Sequence, residues 1–207
     1  MAHAERKELA ELLSELTPQQ WKHATLCEGW CVRELVAHVV SYDDLTPLSY
    51  AKRQVKARFD MDRFNAIGVA TYATYTPARM CQVMREHLHP RGYMAAFGGI
   101  IGLLDAMIHQ QDIRRPLGIP RTIPAPRLRA ALGYAMYVPV LRGAWRCRGL
   151  RLIATDVDWA HGRGPEVRAD GEAALMTLAG RGPACGGRNG SASLDLGGER
   201  PISLWWR

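Results

Sequence analysis

The chain has 207 residues, of which 47% are hydrophobic, and carries a formal net charge of +7. The hydrophobic fraction is ordinary for a globular fold and too high for a disordered chain. No apolar run approaches the roughly 20 residues that span a bilayer, and the N-terminal residues show no signal-peptide pattern. We therefore expect a cytoplasmic protein with one large domain, or one medium domain and a small one.

The first half of the chain predicts helices joined by short loops. Leucines recur at helical spacing in residues 3–15, and Pro18 fits the first turn of a short helix that ends at His23. A turn at residues 26–30 leads to a helix from Val32 to Ser41, and Pro116 is expected to end a later one. The remaining predicted helices cover 48–60, 78–89, 98–113 and 127–141, with 59–76 ambiguous.

The pattern changes after Gly149. Residues 150–156 alternate apolar and polar side chains as a half-buried strand does, and 166–168 fit a short strand that pairs with it. An apolar helix over 171–180 and terminal strands over 193–196 and 202–206 complete this part. We predict an α+β fold, mainly α, with a helical bundle in residues 1–148 and a small α+β domain in 149–207.

The positive charge and the cysteines say little about chemistry by themselves. The excess charge comes from arginines spread over residues 114–151, and no nucleic-acid-binding motif accompanies them. We interpret them as an arginine-rich surface, with a pocket for anionic small molecules as the alternative. The five cysteines are odd in number, so we expect thiols in a reducing compartment, and a reactive Cys27 or Cys31 is a minor alternative.

Candidate site residues lie on two predicted helices. Asp105, His109 and Asp112 fall at i, i+4 and i+7, so their side chains share one helix face. Their neighbours are partly apolar, which makes the cluster a costly burial, a metal site or an acid-base site. His38 lies in a second apolar helical segment. Structural alternatives remain open: satisfied core histidines, an Asp105–arginine pair, or an Asp112–Arg115 pair.

Three segments together resemble a known family. They are residues 16–21 with 25–38, residues 105–118, and residues 150–162 with 164–168. In this order they resemble the actinobacterial maleylpyruvate isomerase family of mycothiol-dependent enzymes, within the DinB-like superfamily, over about residues 8–180. The resemblance implies a four-helix bundle, a divalent metal, usually zinc, and mycothiol as cosubstrate. It assigns the metal ligands to His38, Asp105 and His109.

One residue departs from the family pattern. The metal-binding isomerases carry Glu where this chain has Asp105, and Asp is one methylene shorter. Asp105 can bind a metal directly, bind it through water, or hydrogen-bond His109 as a supporting residue. Asp112 is our candidate for catalytic proton transfer, with the same supporting role as its alternative.

The sequence also suggests substrate contacts and a reaction class. Arg114, Arg115 and Arg151 are candidates to bind an anionic substrate group, because guanidinium pairs bidentately with carboxylates, and Trp159 is a candidate to line a cleft. We expect a thiol-dependent isomerase or S-transferase for a small electrophile, as a monomer or homodimer, with no nucleic-acid or membrane partner. The alternatives are a thiol-independent metal enzyme (hydrolase, cyclase or isomerase) and a non-catalytic small-molecule-binding protein.

Overall fold

A computed structural model of the protein describes residues 1–138, 141, 145 and 147–181, together with the backbone of Asp195 and Leu196. The chain divides into two compact units, Met1–Arg121 and Thr122–Arg207. The domain boundary near residue 148 stays a prediction.

The first unit is helical, as its apolar spacing predicts. Two short 3-10 helices, Gln20–Lys22 and Gly92–Ala95, separate some of the α-helices. The α-helices of residues 1–121 are α1 (Ala2–Glu15), α2 (Val32–Ser41), α3 (Pro47–Lys56), α4 (Met61–Ala70), α5 (Pro77–Glu86) and α6 (Ala96–Leu117).

Four of these helices form a bundle. Helix α1 packs against α5 and α6, and α2 packs against the same two helices. Their inward faces carry a continuous apolar core, which stabilises the bundle by removing these side chains from water. Its fully buried members include Leu9, Leu13, Val32, Leu35, Met80 and Met84. The mainly helical α+β fold expected from the sequence is confirmed.

Local capping explains several helix starts. Thr46 and Thr76 each precede a proline, and their hydroxyls accept the N–H groups of Ser49 and Arg79. Threonine at the N-cap followed by proline is a strong helix start. The predicted helix 48–60 ends earlier, at Lys56, because Arg58 and Phe59 have positive φ and cannot continue it. The ambiguous segment 59–76 contains α4.

Helix α6 begins differently from its prediction and ends close to the predicted position. Phe97, Gly98 and Gly99 have positive φ, so the regular helix starts at residue 100. The helix ends at Leu117, within the segment 114–118 that was predicted to end it and one residue beyond Pro116. Proline has no N–H for the carbonyl four residues earlier, that of Asp112. This carbonyl accepts the N–H of Leu26 instead, at 3.1 Å.

Residues Gly92–Leu117 are also long and apolar enough to cross a membrane, judged by length and composition alone. The apolar spacing of the sequence did not predict this. Leu103, Met107 and Ile113 of this stretch are at most 1% exposed within the protein. Such burial is typical of the central helix of a packed core, which passes the same test.

Where the structure describes the second unit, two α-helices accompany a small sheet. Helices α7 (Ala125–Ala135) and α8 (Gly171–Leu178) pack together. The strands are β1 (Arg151–Ala154), β2 (Ala160–Gly162), β3 (Glu166–Ala169) and β4 (Asp195–Leu196), in the order β2-β1-β3-β4. Strand β1 is antiparallel to β2 and parallel to β3, and β4 is antiparallel to β3. The strand predicted at 202–206 lies outside the described residues.

Candidate metal centre

His38 lies near the end of α2, on the side that faces the bundle interior. The helix begins after Cys31, whose N–H donates to the Glu34 carboxylate at 2.9 Å, and such a bond satisfies an N–H that the helix itself leaves without a partner. The His38 residue is buried, with 8% of its surface exposed. The ring centre of Trp30 lies 4.9 Å from it, and that of Tyr42 lies 5.2 Å away. These aromatic contacts fix the orientation of the ring.

The structure brings His38 together with Asp105 and His109 of α6. The rings of the two histidines are nearly perpendicular, with centres 5.0 Å apart. His109 Nε2 lies 3.4 Å from Asp105 Oδ1. One candidate ligand atom from each of the three residues lies within 4.8 Å of the others. Two remote segments of the chain therefore deliver two imidazoles and a carboxylate to one point.

This donor set fits a divalent metal. Two histidines and one carboxylate are a ligand combination found at catalytic zinc sites. Asp105 Oδ2 is buried and accepts no hydrogen bond from any residue that the structure describes. A buried carboxylate oxygen without a partner is costly, and a cation would offset that cost. The shorter side chain at position 105 thus still reaches the cluster.

Asp112 supports His109 from the opposite side of the imidazole. Its Oδ2 lies 2.9 Å from His109 Nδ1 and accepts the S–H of Cys27 at 3.2 Å. The Asp112 side chain has no exposed surface. A proton held on Nδ1 by this bond leaves Nε2 directed toward Asp105, which is how an outer carboxylate orients a metal-binding histidine. The burial favours this supporting role over proton transfer with substrate.

The electrostatics of the three α6 residues are coupled. Burial by itself would lower the pKa of His109, but the Asp105 carboxylate and the hydrogen bonds to both aspartates raise it well above 6.5. Burial opposes ionisation of Asp105, yet its pair with His109 lowers the pKa of this carboxyl below its ordinary value. The two carboxylates therefore favour the protonated form of the His109 imidazole. A metal must displace a proton from it.

Sequence reasoning missed two features beside this cluster. Tyr42 contacts His38, and burial together with the nearby Asp105 charge raises the pKa of its phenol. Cys27 was considered only as a minor reactive thiol. Its proximity to Asp112 depends on residues 85 positions apart in the chain, so no local pattern could reveal it.

A buried ion pair was also missed. The Arg6 guanidinium donates to Asp43 Oδ2 at 2.6 Å and to the His87 carbonyl at 2.8 Å, and both side chains of the ion pair are 0% exposed. A signal existed in the sequence: Arg6 precedes Leu9 by three residues and Leu13 by seven, so it lies on the apolar face of α1. The pair connects α1 to the segment after α2.

The predicted substrate-binding residues belong to both units. Arg114 donates to Gln110 Oε1 at 3.0 Å, and Gln110 contacts the backbone of Glu5, so Arg114 lies beside α1 on another face of α6 from His109. Arg115 is half-buried in the last turn of α6. Arg151 and Trp159 belong to the second unit. There Arg151 lies 3.9 Å from Glu166, and Trp159 stacks on His161.

Comparison with known proteins identifies the helical region. Residues 2–97 match the family model of the mycothiol maleylpyruvate isomerase N-terminal domain. The chain carries this enzyme-family domain. The resemblance inferred from the sequence is thereby confirmed. The match to the maleylpyruvate isomerase domain includes His38 but ends before the other two candidate ligands, Asp105 and His109.

Two solved structures share the fold of this chain. The similarity extends over the maleylpyruvate isomerase domain and continues beyond residue 97. One is a His-to-Ala mutant of the mycothiol-dependent maleylpyruvate isomerase, with a TM-score of 0.60 and 16% identity. The other is the mycothiol-dependent maleylpyruvate isomerase, with a TM-score of 0.53 and 14% identity. Both alignments cover 87% of this chain and 87% of the other. Among curated protein sequences, none matches the chain.

Proposed function

We propose that the protein is a metal-dependent enzyme that uses a low-molecular-weight thiol, mycothiol, either to isomerise a small electrophile or to form a thioether with it as an S-transferase. The convergence of His38, Asp105 and His109 around a buried, unsatisfied carboxylate oxygen carries this proposal. The family of residues 2–97 supports the thiol, as do the two similar structures, which are mycothiol-dependent maleylpyruvate isomerases.

Each residue of the cluster has a distinct part in the proposal. His38, Asp105 and His109 would hold the metal, and three protein ligands leave a position for an incoming ligand. A bound divalent metal such as zinc lowers the pKa of a thiol placed there. Asp112 is a positioning residue, because it holds the Nδ1 proton of His109 and keeps Nε2 directed into the cluster.

The surroundings of His38 suit a thiolate reaction. The rings of Trp30 and Tyr42 cover His38 and limit the access of water, which strengthens electrostatic interactions inside the site. In an isomerisation, the thiolate adds to a conjugated cis double bond and the electron pair moves to the conjugated carbonyl. Rotation about the new single bond then occurs, and elimination releases the trans product and the thiolate. In an S-transfer, the thiolate instead displaces a leaving group from an electrophilic carbon.

Two parts of the proposal rest on the sequence alone. We propose an anionic group on the substrate, with Arg114, Arg115 and Arg151 as the candidates to bind it, because guanidinium pairs bidentately with carboxylates. Trp159 is a candidate substrate contact in the second unit. Charge-reversal variants of these arginines, assayed with neutral and anionic electrophiles, would separate the candidates.

The experiment combines metal analysis with a thiol assay. Protein loaded with zinc is incubated with mycothiol and either a cis-conjugated dicarboxylate such as maleylpyruvate or an electrophilic aryl halide. We expect product formation that requires both metal and thiol, is lost in Asp105→Asn, and is retained in Asp62→Asn, a matched change on the exposed surface of α4.

Two results would contradict the proposal in different ways. Turnover that persists without thiol would indicate a thiol-independent metal enzyme. Substoichiometric metal that Asp105→Ala leaves unchanged would indicate a binding protein without a metal centre. Circular dichroism of each variant separates loss of the site from loss of the fold.

A further inference from the structure

We propose a second cation site, formed by Cys27 Sγ, Asp112 Oδ2 and His109 Nδ1, that binds a thiophilic divalent cation such as Cd²⁺. The site shares His109 with the centre described above but uses the other ring nitrogen. All three donor atoms lie within 4.8 Å of one another. Nothing in the proposed reaction uses Cys27.

The donor geometry suits a small coordination sphere. Sγ lies 3.2 Å from Asp112 Oδ2 and 3.8 Å from His109 Nδ1, and Nδ1 lies 2.9 Å from Oδ2. Donors bound tetrahedrally to Zn²⁺ at roughly 2.0–2.3 Å are about 3.3–3.8 Å apart. The observed separations bracket that range, so shifts of about half an ångström or less would close the site around an ion. A thiolate ligand selects for soft cations.

The position of Cys27 is built into the backbone. Its N–H donates to Thr25 Oγ1 at 3.2 Å, and its carbonyl accepts the N–H of Trp30 at 3.1 Å. The preceding residue, Leu26, donates its N–H to the Asp112 carbonyl that Pro116 leaves without a helical partner. The Leu26 bond fastens the loop to α6 directly before the thiol, and the other two bonds fix the turn of the loop around Cys27. The half-buried thiol remains accessible to an ion, whereas Asp112 supplies its negative charge from the interior.

The two sites exclude each other, because a neutral imidazole has one nitrogen lone pair for coordination. A cation on Nε2 leaves the proton on Nδ1, and this N–H donates a hydrogen bond to Asp112. A cation on Nδ1 leaves the proton on Nε2, and this N–H donates to Asp105. Binding at the thiol site forms S–Cd, N–Cd and O–Cd bonds, releases the Cys27 Sγ proton to solvent and displaces the proton from His109 Nδ1, which leaves the ring proton on Nε2.

The shared histidine makes the first centre sensitive to thiophilic metals. An ion at Cys27 removes His109 from that centre, so zinc and cadmium compete although they occupy different donor sets. The inference rests on the proposed function only for this competition. The thiolate–cadmium bond can be observed whether or not the protein turns over any substrate.

The test is a titration of the metal-free full-length protein with Cd²⁺, monitored through the ultraviolet charge-transfer absorption of thiolate–cadmium bonds. We expect saturation at one equivalent in the wild type and in Cys31→Ser, a matched control at a thiol outside the cluster. In Cys27→Ser we expect cadmium affinity to fall by about 100-fold or more. Loss of a residue that only hydrogen-bonds a metal ligand already costs roughly 10–100-fold in affinity, and Cys27 would be a ligand itself. Prior zinc loading should reduce the absorption, and zinc affinity should stay unchanged in Cys27→Ser.

Several results would overturn the inference. Absence of the absorption in the wild type, or its persistence in Cys27→Ser and Cys27→Ala, would show that Cys27 is not a ligand. Two equivalents of metal bound together with undiminished absorption would show that His109 is not shared. Zinc binding at one equivalent without any cadmium–thiolate absorption would leave the proposed function standing and remove this inference. Cadmium–thiolate absorption that depends on Cys27, in a protein that binds no zinc, would remove the proposed function and leave the inference.

Discussion

Substitution of Asp112 by Asn tests whether this residue positions His109. The change keeps the shape of the side chain and removes its charge. In the native protein, one carboxylate oxygen receives both the Nδ1–H of His109, at 2.9 Å, and the S–H of Cys27, at 3.2 Å. An amide oxygen is a weaker acceptor for both. The amide nitrogen of an Asn that turns toward His109 would repel its N–H.

The size of the effect can be worked out from these contacts. Loss of the residue that hydrogen-bonds the second ring nitrogen of a metal-binding histidine costs about 10–100-fold in metal affinity. This factor is equivalent to roughly 1.4–2.7 kcal/mol. Hydrogen bonds to a buried charged group contribute about 1.5–3 kcal/mol each, so the free energy of unfolding of the metal-free protein should fall by a similar amount. The pKa of His109 should also fall, because the hydrogen bond to Asp112 is one of the causes that raise it.

The assay is a competition between the protein and a chromophoric chelator for zinc, measured over a series of pH values. In Asp112→Asn, we expect the affinity at high pH to drop and the decline of binding toward low pH to begin at a lower pH than in the wild type. The matched control, Asp62→Asn, lies on an exposed face of α4 and should change neither property. A general loss of stability would not move the pH dependence of zinc binding.

One result would refute the reasoning. If Asp112→Asn weakened folding but bound zinc with wild-type affinity and wild-type pH dependence, Asp112 would stabilise the fold without positioning His109. The Nε2 atom would then be oriented by Asp105 and the neighbouring rings alone.

The buried charges and the backbone give three further predictions. The pKa of His109 in the folded protein is raised well above 6.5, so its contribution to stability is present below pH 6.5 and is lost as the pH rises through the folded pKa. Urea unfolding of the metal-free protein should show this decline in unfolding free energy. A free energy that stays constant over that pH range would contradict the pairing of His109 with the aspartates. Arg6→Met should cost about 3–5 kcal/mol of unfolding free energy because it leaves the Asp43 carboxylate buried without its counter-ion, whereas adding Asp43→Leu should recover much of the loss. Unchanged stability of the single variant would show that water replaces the pair. Gly118→Ala should destabilise the protein by about 1–2 kcal/mol, because φ is +66 and the added Cβ meets no atom, so only backbone strain acts. Gly133→Ala adds a Cβ at an equally open position inside a helix and should stabilise the protein by about 0.5–1 kcal/mol. Thermal melts of the two variants should therefore shift in opposite directions.

The sequence by itself determined the elements that depend on local spacing. Apolar residues at helical intervals predicted α1 and α2, and the i, i+4 and i+7 spacing placed Asp105, His109 and Asp112 on one face of α6. These features could be predicted because a helix repeats every 3.6 residues, whatever surrounds it. The family resemblance came from ordered motifs of the same kind, and it singled out His38.

Contacts between distant segments were decided only by the tertiary structure. Helix α6 passes through Pro116 because the carbonyl that loses its helical partner finds the N–H of Leu26 in a remote loop. The same fold sets Cys27 against Asp112, and Arg6 against Asp43 across 37 positions of the chain. Local periodicity carries no information about which side chain meets which across a core. The pairing of buried charges and thiols is fixed by packing, where each polar group must find a partner once water is removed.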